Sequence, residues 1–327
     1  MDKKKYFIIT IDTEGDNLWK WKKEDPITTE NAKFLQRFQN LCDRYGFKPV
    51  WLSNYEMLND SFYVNFISKV VNNNCGEIGM HLHAWYSKPD FELSDHYDGA
   101  PYLIEYPVEI MEAKIEYMTH LIESRVGIKP VSHRAGRWAI NETYIRILIK
   151  NGYKVDCSIT PGIDWSKCPG GLAGMKGCNY VDFPHNEFWI PIGNENSRLL
   201  EIPVTVYKSH KLYLPERKKI KDTLAATYRM IVGTNIWLRP ENNNKKQMIE
   251  LISRIENSDA NYIMFMIHSS ELMPGGSPTF KTSEEIENLY RNLNYLFEKL
   301  SHSFSGITLQ EYYDVNQNDI SAVKSLQ

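Results

Sequence analysis

Short apolar runs of strand length alternate with amphipathic helical segments along most of this chain of 327 residues. Several runs are almost continuously apolar, which is typical of parallel strands that are covered by helices or closed into a barrel. Seven or eight strand–helix units predict an α/β barrel of parallel strands, with an active site at the carboxyl ends of the strands. The predicted strands lie at 6–11, 48–52, 77–80, 130–132, 153–155, 199–204, 262–267 and 306–309, and the predicted helices at 29–45, 109–126, 141–151 and 284–300.

The main alternative to a barrel is an open, doubly wound sheet. No glycine-rich phosphate loop follows any predicted strand. The commonest reason to favour the open sheet, a nucleotide-binding site, is therefore missing. The segments 84–103 and 161–189 interrupt the alternation and are rich in Gly, Pro, Asp and aromatic residues, so we expect long loops on the functional face. We expect one domain over residues 1–315 and a polar tail over 316–327.

Several predicted helices carry recognisable boundary residues. Thr282 and Glu285 have the spacing of a capping box at the start of the last predicted helix. Gly46, Gly127 and Gly152 each follow a predicted helix, as expected for residues that end helices.

Polar residues follow several predicted strands at the point where each strand ends. They are Asp12, Glu14, His81, His83, Arg134 and His268. Side chains two apart in a strand point to the same side, so the two acids can act together, as can the paired histidines. A His-x-His pair with one carboxylate suits zinc or another divalent metal that keeps a position open for water. Each residue alone could be a cap or a buried structural side chain, and only the combination favours a metal-dependent hydrolase.

Charge, cysteine usage and hydropathy exclude several classes of function. The net charge of -3 gives no electrostatic reason to expect a nucleic-acid partner. No apolar stretch is long enough to cross a membrane, so we expect no stable membrane insertion. The 5 cysteines are an odd number at irregular spacing, which predicts reduced thiols. Because no secretory signal is visible at the amino terminus, we expect a cytoplasmic protein.

At these positions the sequence resembles the polysaccharide deacetylase superfamily, carbohydrate esterases with a distorted (β/α) barrel of seven or eight units. Thr10-Ile-Asp12-Thr-Glu14 is similar to the family's Thr-Phe-Asp-Asp motif. The segment 77–83, Glu-Ile-Gly-Met-His-Leu-His, is similar to the Glu-Ile-Gly-x-His motif. Segments 134–138, 153–158 and 265–268 resemble the arginine motif, the Tyr-Asp-Ser-Ser strand and the Leu-x-x-His motif. The motifs look closest to a subgroup linked to lipopolysaccharide and O-antigen biosynthesis.

The chain departs from the family pattern within these motifs. Thr13 stands where the family has its second aspartate, so the metal role of that residue would pass to Glu14. The usual histidine spacing is His-x-x-x-His, but Trp85 occupies the second position and His83 would be the ligand. Gly136 and Phe265 replace a proline and a leucine of the family motifs.

The resemblance implies a separate role for each strand-end residue. Asp12 would be the general base, Arg134 would hold Asp12 ionised and oriented, and His268 would be the general acid. A divalent metal, with zinc as the expected ion, would be bound by Glu14, His81 and His83. Further residues are predicted to bind substrate, namely Trp85, Trp138, Asp156 and Arg137. Asp156 could instead tune His268, and Arg137 could instead be an exposed structural arginine.

Aromatic residues are concentrated soon after the predicted strand ends. They include Trp19, Trp21 and Trp165 besides the two tryptophans already named. Such rings either stack on sugar or roof the barrel core, and we expect one or two of them to line the substrate site. Tyr86 and His185 are predicted at the rim of that site.

Three functions follow from this sequence. The first is a metal-dependent N-deacetylase that acts on an N-acetylated sugar, or a sugar on a carrier, in the biosynthesis of lipopolysaccharide, O-antigen or capsule. The second is another metal-dependent amidohydrolase of the same fold. The third is a non-catalytic carbohydrate-binding relative. The expected cytoplasmic location favours a precursor as substrate, and the sequence does not specify the oligomeric state.

Overall fold

The computed structural model describes residues 5–20, 22, 25–93, 100–193, 197–213, 220–317 and 324. The strands in this part of the chain are β1 (Lys5–Thr13), β2 (Val50–Ser53), β3 (Glu77–Leu82), β4 (Ser132–Ala135), β5 (Val155–Asp156), β6 (Phe188–Pro191), β7 (Arg198–Glu201), β8 (Val206–Ser209), β9 (Thr234–Trp237), β10 (Tyr262–His268) and β11 (Phe304–Gly306). The helices are α1 (Leu35–Arg44), α2 (Tyr55–Leu58), α3 (Ser61–Asn72), α4 (Val108–Val126), α5 (Glu142–Lys150), α6 (Ile220–Val232), α7 (Lys245–Glu256), α8 (Ser283–Ser303) and α9 (Leu309–Asn316). No helix among the described residues is both long and apolar enough to span a bilayer.

Most strands belong to one curled sheet with the order β10-β1-β2-β3-β4-β5-β7-β6, and β11 pairs with β1 beside this path. The pairings from β10 through β7 are parallel, whereas β6 runs antiparallel to β7. The strands β8 and β9 form a separate antiparallel pair. The curled, mainly parallel sheet and its helices form a distorted (β/α) barrel, so the predicted fold class is confirmed.

Side chains alternate along the strands between an outer core and the interior of the curled sheet. In β1, Phe7, Ile9 and Ile11 pack in the outer core with the surrounding helices, whereas Ile8 belongs to a separate interior cluster. The even-numbered residues that follow Ile8, up to Asp12, therefore point inward. The same alternation in β10 places 263, 265 and 267 outside and 262, 264 and 266 inside. Polar residues at the carboxyl ends of these strands consequently face one another.

Helix boundaries agree with the sequence signals. The Thr282 hydroxyl accepts a hydrogen bond from the Glu285 amide at 3.2 Å, and the Glu285 carboxylate accepts one from the Thr282 amide at 3.0 Å, so the predicted capping box is confirmed. Gly127 ends α4 with a φ of 78°, a left-handed conformation that a residue without Cβ adopts without strain.

Several predicted boundaries are wrong. The predicted strand 130–132 lies later, at Ser132–Ala135, where four mainly polar residues form a buried strand. The predicted strand 306–309 is also misplaced, because β11 ends at Gly306 and Leu309 already begins α9. The segment 161–189 is irregular as expected up to the start of β6 at Phe188. The strands β8 and β9 and the helix α6 were not predicted; β8 and β9 are only four residues long and contain polar as well as apolar residues.

The predicted tail over 316–327 lies mostly outside the described residues. Lys324, which is described, donates its backbone N–H to the carbonyl of Trp189 at 3.0 Å. A single domain over residues 1–315 stays a prediction.

Candidate metal centre and active site

Three buried side chains meet at the carboxyl ends of β1 and β3. Glu14 Oε2 lies 3.2 Å from His83 Nε2 and 3.4 Å from His81 Nε2, and the two histidine nitrogens are 3.1 Å apart. Relative exposures of 5%, 2% and 7% for Glu14, His81 and His83 separate this cluster from ordinary surface acids. The structure therefore brings together the three predicted metal ligands.

The distances suit a tetrahedral ion. Ligand atoms at about 2.0–2.1 Å from zinc lie about 3.3 Å apart when the coordination is tetrahedral, and the observed separations fall close to this value. The Nδ1 of His81 donates to the Arg134 carbonyl oxygen at 2.9 Å, which leaves a lone pair on Nε2 in the neutral ring. Glu14 Oε2 has no hydrogen-bond partner among the described residues. Lone pairs that face one another in a buried site fit a divalent cation.

The pKa values of two of these groups also suit a ligand set. Burial lowers the pKa of His83 to about 3, so the ring is neutral at pH 7. Burial raises the pKa of Glu14, but His83, His81 and His268 outweigh burial and the net pKa lies below its ordinary value. For His81, burial lowers the pKa, but the negative charges of Asp12 and Glu14 outweigh burial, and the net pKa lies above its ordinary value.

Asp12 forms a buried ion pair with Arg134 beside this cluster. The Nη1 of Arg134 donates to Asp12 Oδ1 at 2.6 Å, and the two side chains are 0% and 3% exposed. Nη2 donates to Thr10 Oγ1 at 2.9 Å, and Nε donates to the carbonyl of Cys157 at 3.1 Å. Burial raises the pKa of Asp12, but Arg134, His81 and His268 outweigh it, so the net pKa lies well below the ordinary value. Asp12 is therefore a carboxylate at neutral pH, as the prediction requires of a general base.

His268 lies on the neighbouring strand, in register with Asp12. Its Nε2 is 3.8 Å from Asp12 Oδ2 and 4.0 Å from Glu14 Oε1. On the opposite side of the ring, Nδ1 donates to Glu271 Oε2 at 3.1 Å. The imidazole edge that faces the predicted base is thus fixed by a carboxylate behind it.

Glu271 and Arg239 are functional candidates that the sequence analysis missed. Glu271 is fully buried, accepts the backbone N–H of His268 at 2.9 Å and pairs with Arg239 at 3.4 Å. Burial raises the pKa of Glu271, but Arg239 and His268 outweigh it and lower the pKa to about 2. Glu271 could have been found from its position three residues after His268, a spacing that lets its carboxylate reach back to His268. No local pattern in the sequence marks Arg239.

Aromatic rings surround these polar groups. The Trp19 ring packs edge-on against His268 at 4.9 Å, and Trp85 stacks on His83 at 4.5 Å with an interplanar angle of 26°. Trp138 lies under the Arg134 guanidinium at 5.2 Å and stacks on Trp165 at 6.4 Å. Trp19 is 39% exposed, so part of its side chain is open to solvent. Trp21 lies outside the described residues.

The other predicted substrate residues have structural partners. Asp156 is fully buried and accepts hydrogen bonds from His133 at 2.6 Å and from the Ser158 hydroxyl at 2.8 Å. The carboxylate that contacts Nδ1 of His268 is that of Glu271, at 3.1 Å. Asp156 as a substrate ligand stays a prediction, which would require these bonds to open.

Arg137 joins two loops. Its guanidinium donates to the carbonyls of Ala100 and Pro169, the latter at 2.6 Å, and lies 4.2 Å from the centre of the Tyr102 ring. These contacts match the structural alternative, while a contact with substrate stays a prediction.

The two predicted rim residues are separated in the fold. His185 donates to the Val206 carbonyl at 2.8 Å and stacks on Tyr207, next to β8. Tyr86 follows β3, and its backbone N–H donates to the carbonyl of His83 at 3.4 Å. Of the two, Tyr86 adjoins the candidate metal centre.

Comparison with known proteins gives matches among solved structures. No family model and no curated protein matches the chain. A polysaccharide deacetylase structure from Mycobacterium smegmatis has a TM-score of 0.57 and 11% identity over 100% of this chain and 96% of that chain. A glycoside hydrolase/deacetylase from Parabacteroides distasonis has a TM-score of 0.60 and 10% identity, with coverages of 98% and 73%. A 4-alpha-glucanotransferase from Thermococcus litoralis has a TM-score of 0.58 and 12% identity, and this chain covers 42% of it.

These neighbours share the fold. Because they include a polysaccharide deacetylase and a glucanotransferase, the fold alone does not decide the reaction, which must be argued from the site.

Proposed function

We propose that this protein is a metal-dependent carbohydrate N-deacetylase. The observation that carries the proposal is the convergence of the cluster of Glu14, His81 and His83 with the Asp12–Arg134 pair and the His268–Glu271 pair at the carboxyl ends of adjoining strands. A carboxylate base, an imidazole acid and a divalent ion together form one set of groups that can hydrolyse an unreactive amide.

Each side chain has a role that its surroundings support. A divalent ion held by Glu14, His81 and His83 would polarise a water molecule and lower its pKa. Asp12 takes a proton from the attacking water, and Arg134 keeps Asp12 ionised and oriented. His268, presented by Glu271, gives a proton to the departing sugar amine, which is otherwise a poor leaving group. The tryptophans around the site offer apolar faces to a sugar ring.

We further propose zinc as the ion and an N-acetylated precursor in surface polysaccharide biosynthesis as the substrate. Two neutral imidazoles and one carboxylate are a ligand set that zinc favours. The resemblance of the short motifs to those linked to lipopolysaccharide and O-antigen supports the substrate class. A cytoplasmic site of action belongs to the same proposal.

The shifted ligand spacing was the reason to consider a non-catalytic relative. The three ligand atoms nevertheless lie within 4.8 Å of one another, and base and acid candidates flank them, which supports catalysis over simple binding. Another amidohydrolase activity is separated from the proposed one by the substrate panel below.

The test is acetate release from N-acetylated monosaccharides, nucleotide sugars, chitooligosaccharides and simple amides. We expect release from a sugar substrate, loss of release on chelation, and recovery when zinc is returned. Asp12→Asn should lower the rate by about 10²–10⁴ while bound metal, measured by mass spectrometry, is retained.

The matched control is Asp314→Asn, because Asp314 is an exposed aspartate of α9. This helix contacts Glu77 at the amino end of β3, opposite to the strand end that carries the site. If Asp12→Asn released acetate at the wild-type rate, Asp12 would not be the general base. Release from simple amides alone would favour the amidohydrolase, and metal-independent binding without release would favour the non-catalytic relative.

A further inference from the structure

Two buried side chains, Asn31 and Ser269, hold the backbone of Glu14, and we call this pair the Glu14 clamp. The Ser269 hydroxyl accepts the Glu14 N–H and donates to the Glu14 carbonyl oxygen, each at 3.0 Å. Asn31 Nδ2 donates to the same carbonyl oxygen at 2.7 Å and to Ser269 Oγ at 2.8 Å. Both clamp residues are 0% exposed, so the hydrogen bonds of the clamp are shielded from water.

The clamp joins segments that are far apart in the sequence. Asn31 belongs to the short 3₁₀ helix Glu30–Phe34, which precedes α1, and Ser269 begins the 3₁₀ helix Ser269–Leu272, which follows β10. A further contact extends the clamp along the chain, because the backbone N–H of Asn31 donates to Asp16 Oδ2 at 3.1 Å. The chain just after β1 is therefore fixed by tertiary contacts.

Glu14 needs such support because it lies just beyond the last paired residue of β1. The pairing of β1 with β2 ends at Thr13. The alternation along β1 turns the Thr13 side chain away from the interior, and its hydroxyl donates to the carbonyl of Ile11 at 3.1 Å. Backbone polar groups that leave a sheet but stay buried must find other partners, and the clamp provides them for Glu14.

The fixed backbone determines where the Glu14 carboxylate can lie. Its Oε2 is 3.2 Å from His83 Nε2 and 3.4 Å from His81 Nε2, and a glutamate reaches such a position through three rotatable side-chain bonds. A backbone that moved would carry the carboxylate out of the ligand set. Residues that orient a metal ligand without binding the ion typically contribute about 10–100-fold to metal affinity.

Asn31 also has a feature that stability alone does not favour. Its Oδ1 is buried and has no hydrogen-bond partner among the residues that the structure describes. A buried acceptor without a donor destabilises a fold, so an apolar side chain of similar size would fill this space at no such cost. What an asparagine provides at this position is the pair of hydrogen bonds that Nδ2 donates within the clamp.

We propose that Asn31 and Ser269 are positioning residues that fix Glu14 as a metal ligand and so set the affinity of the centre for its cation. The inference rests on the proposed function and deepens it, because it explains how a glutamate one position beyond Thr13 can complete the ligand set.

The test measures zinc affinity by chelator competition in the full chain. Ser269→Ala removes the hydroxyl and adds no atom, and Asn31→Ala removes the other half of the clamp. We expect each variant to bind zinc about 10–100-fold more weakly than wild type. The double variant should lose less than the product of the two factors, because both side chains hold the same carbonyl oxygen.

The matched control is Ser270→Ala, which changes the neighbouring buried serine. The Ser270 hydroxyl accepts the indole N–H of Trp19 at 3.0 Å, so this variant also loses a hydrogen bond but leaves the clamp intact. Urea denaturation without metal should show some loss of stability in all the variants, whereas zinc affinity should fall only in those of the clamp. The visible absorption of bound Co²⁺, which depends on coordination geometry, should likewise change only in the clamp variants.

The outcomes separate this proposal from the proposed function. Wild-type zinc affinity and Co²⁺ absorption in the clamp variants, or an equal loss of affinity in Ser270→Ala, overturns the clamp alone, and Asn31→Ala decides if Ser269→Ala does not fold. Zinc affinity that depends on the clamp, without acetate release by the zinc-loaded wild type, overturns the deacetylase and leaves the clamp in place. A wild-type chain that binds neither Zn²⁺ nor Co²⁺ overturns both.

Discussion

Replacing Arg134 by methionine should destabilise the protein far more than the same replacement at an exposed arginine whose ion pair has a similar N–O distance. The Arg134 side chain is fully buried, and its guanidinium donates to Asp12 at 2.6 Å. Methionine has a similar length and no charge, so the variant leaves Asp12 as a buried carboxylate without a cation. The Thr10 hydroxyl and the Cys157 carbonyl lose donors at the same time.

The expected loss follows from these contacts. Removing one partner of a buried ion pair typically costs about 3–5 kcal/mol in the free energy of unfolding. Each acceptor left without a donor adds up to about 1–3 kcal/mol, although neighbouring terms are not additive. We therefore expect a loss of at least about 3 kcal/mol, a large part of the stability of an ordinary domain.

The assay is urea denaturation at pH 7, with Arg146→Met as the matched control. Arg146 pairs with Glu142 at 2.7 Å, but those side chains are 62% and 55% exposed, so the control should cost less than about 1 kcal/mol. The double variant Asp12→Asn with Arg134→Met should recover part of the loss, because no unpaired charge remains. Equal losses for the two arginine variants, or no coupling between Asp12 and Arg134, would refute the reasoning.

Two further predictions concern Glu271 and Gly136. The folded-state pKa of Glu271, about 2, lies below the ordinary value of 4.5, so its stabilising effect, on the order of 3 kcal/mol, is complete above pH 4.5 and is lost as pH falls through about 2. Urea denaturation of Glu271→Gln should therefore differ from wild type at pH 6 and approach it near pH 2, and parallel curves would contradict the assignment. A Cβ at position 136 would lie 2.3 Å from His83 Cδ2 and 2.5 Å from the Leu82 carbonyl oxygen. Gly136→Ala should displace His83 and weaken zinc binding by about 10–100-fold in a chelator competition assay. Gly174→Ala meets no atom within 4 Å but is strained by the φ of 82° at that position, so it controls for backbone strain and should bind zinc as wild type does. Equal zinc affinities for both variants would exclude this role of Gly136.

The sequence was sufficient for the alternation of strands and helices and for the residues at the ends of the strands. Apolar runs such as Tyr262–His268 are readable because both faces of a parallel strand are covered. The strand Ser132–Ala135 was misplaced because its polar residues resemble a loop. They are buried only because Asp156, Asp12 and other distant groups complete their hydrogen bonds.

The residues that support the site through contacts with distant segments could not be predicted from the sequence either. Arg239 reaches Glu271 from a separate segment, and Glu56 reaches Gly15 from the helix that follows β2. Neither contact leaves a periodic pattern or a short motif in the sequence. Trp85 illustrates a different limit: its position was known as a departure from the family spacing, but its stacking on His83 depends on the turn after β3.

The position of β1 in the sheet has a consequence for the order in which the site is built. The strand lies between β2 and β10, so Glu14 meets His81 and His83 from the first three strands, whereas His268 comes from nearly the opposite end of the chain. Domains generally fold as units, and contacts between distant segments form slowly. Ser269, which directly follows β10, holds both backbone groups of Glu14, because its hydroxyl accepts the Glu14 N–H and donates to the Glu14 carbonyl, each at 3.0 Å. We therefore expect Glu14 to become fixed as a ligand only when β10 docks beside β1, so that the cation site and the acid are completed in the same step.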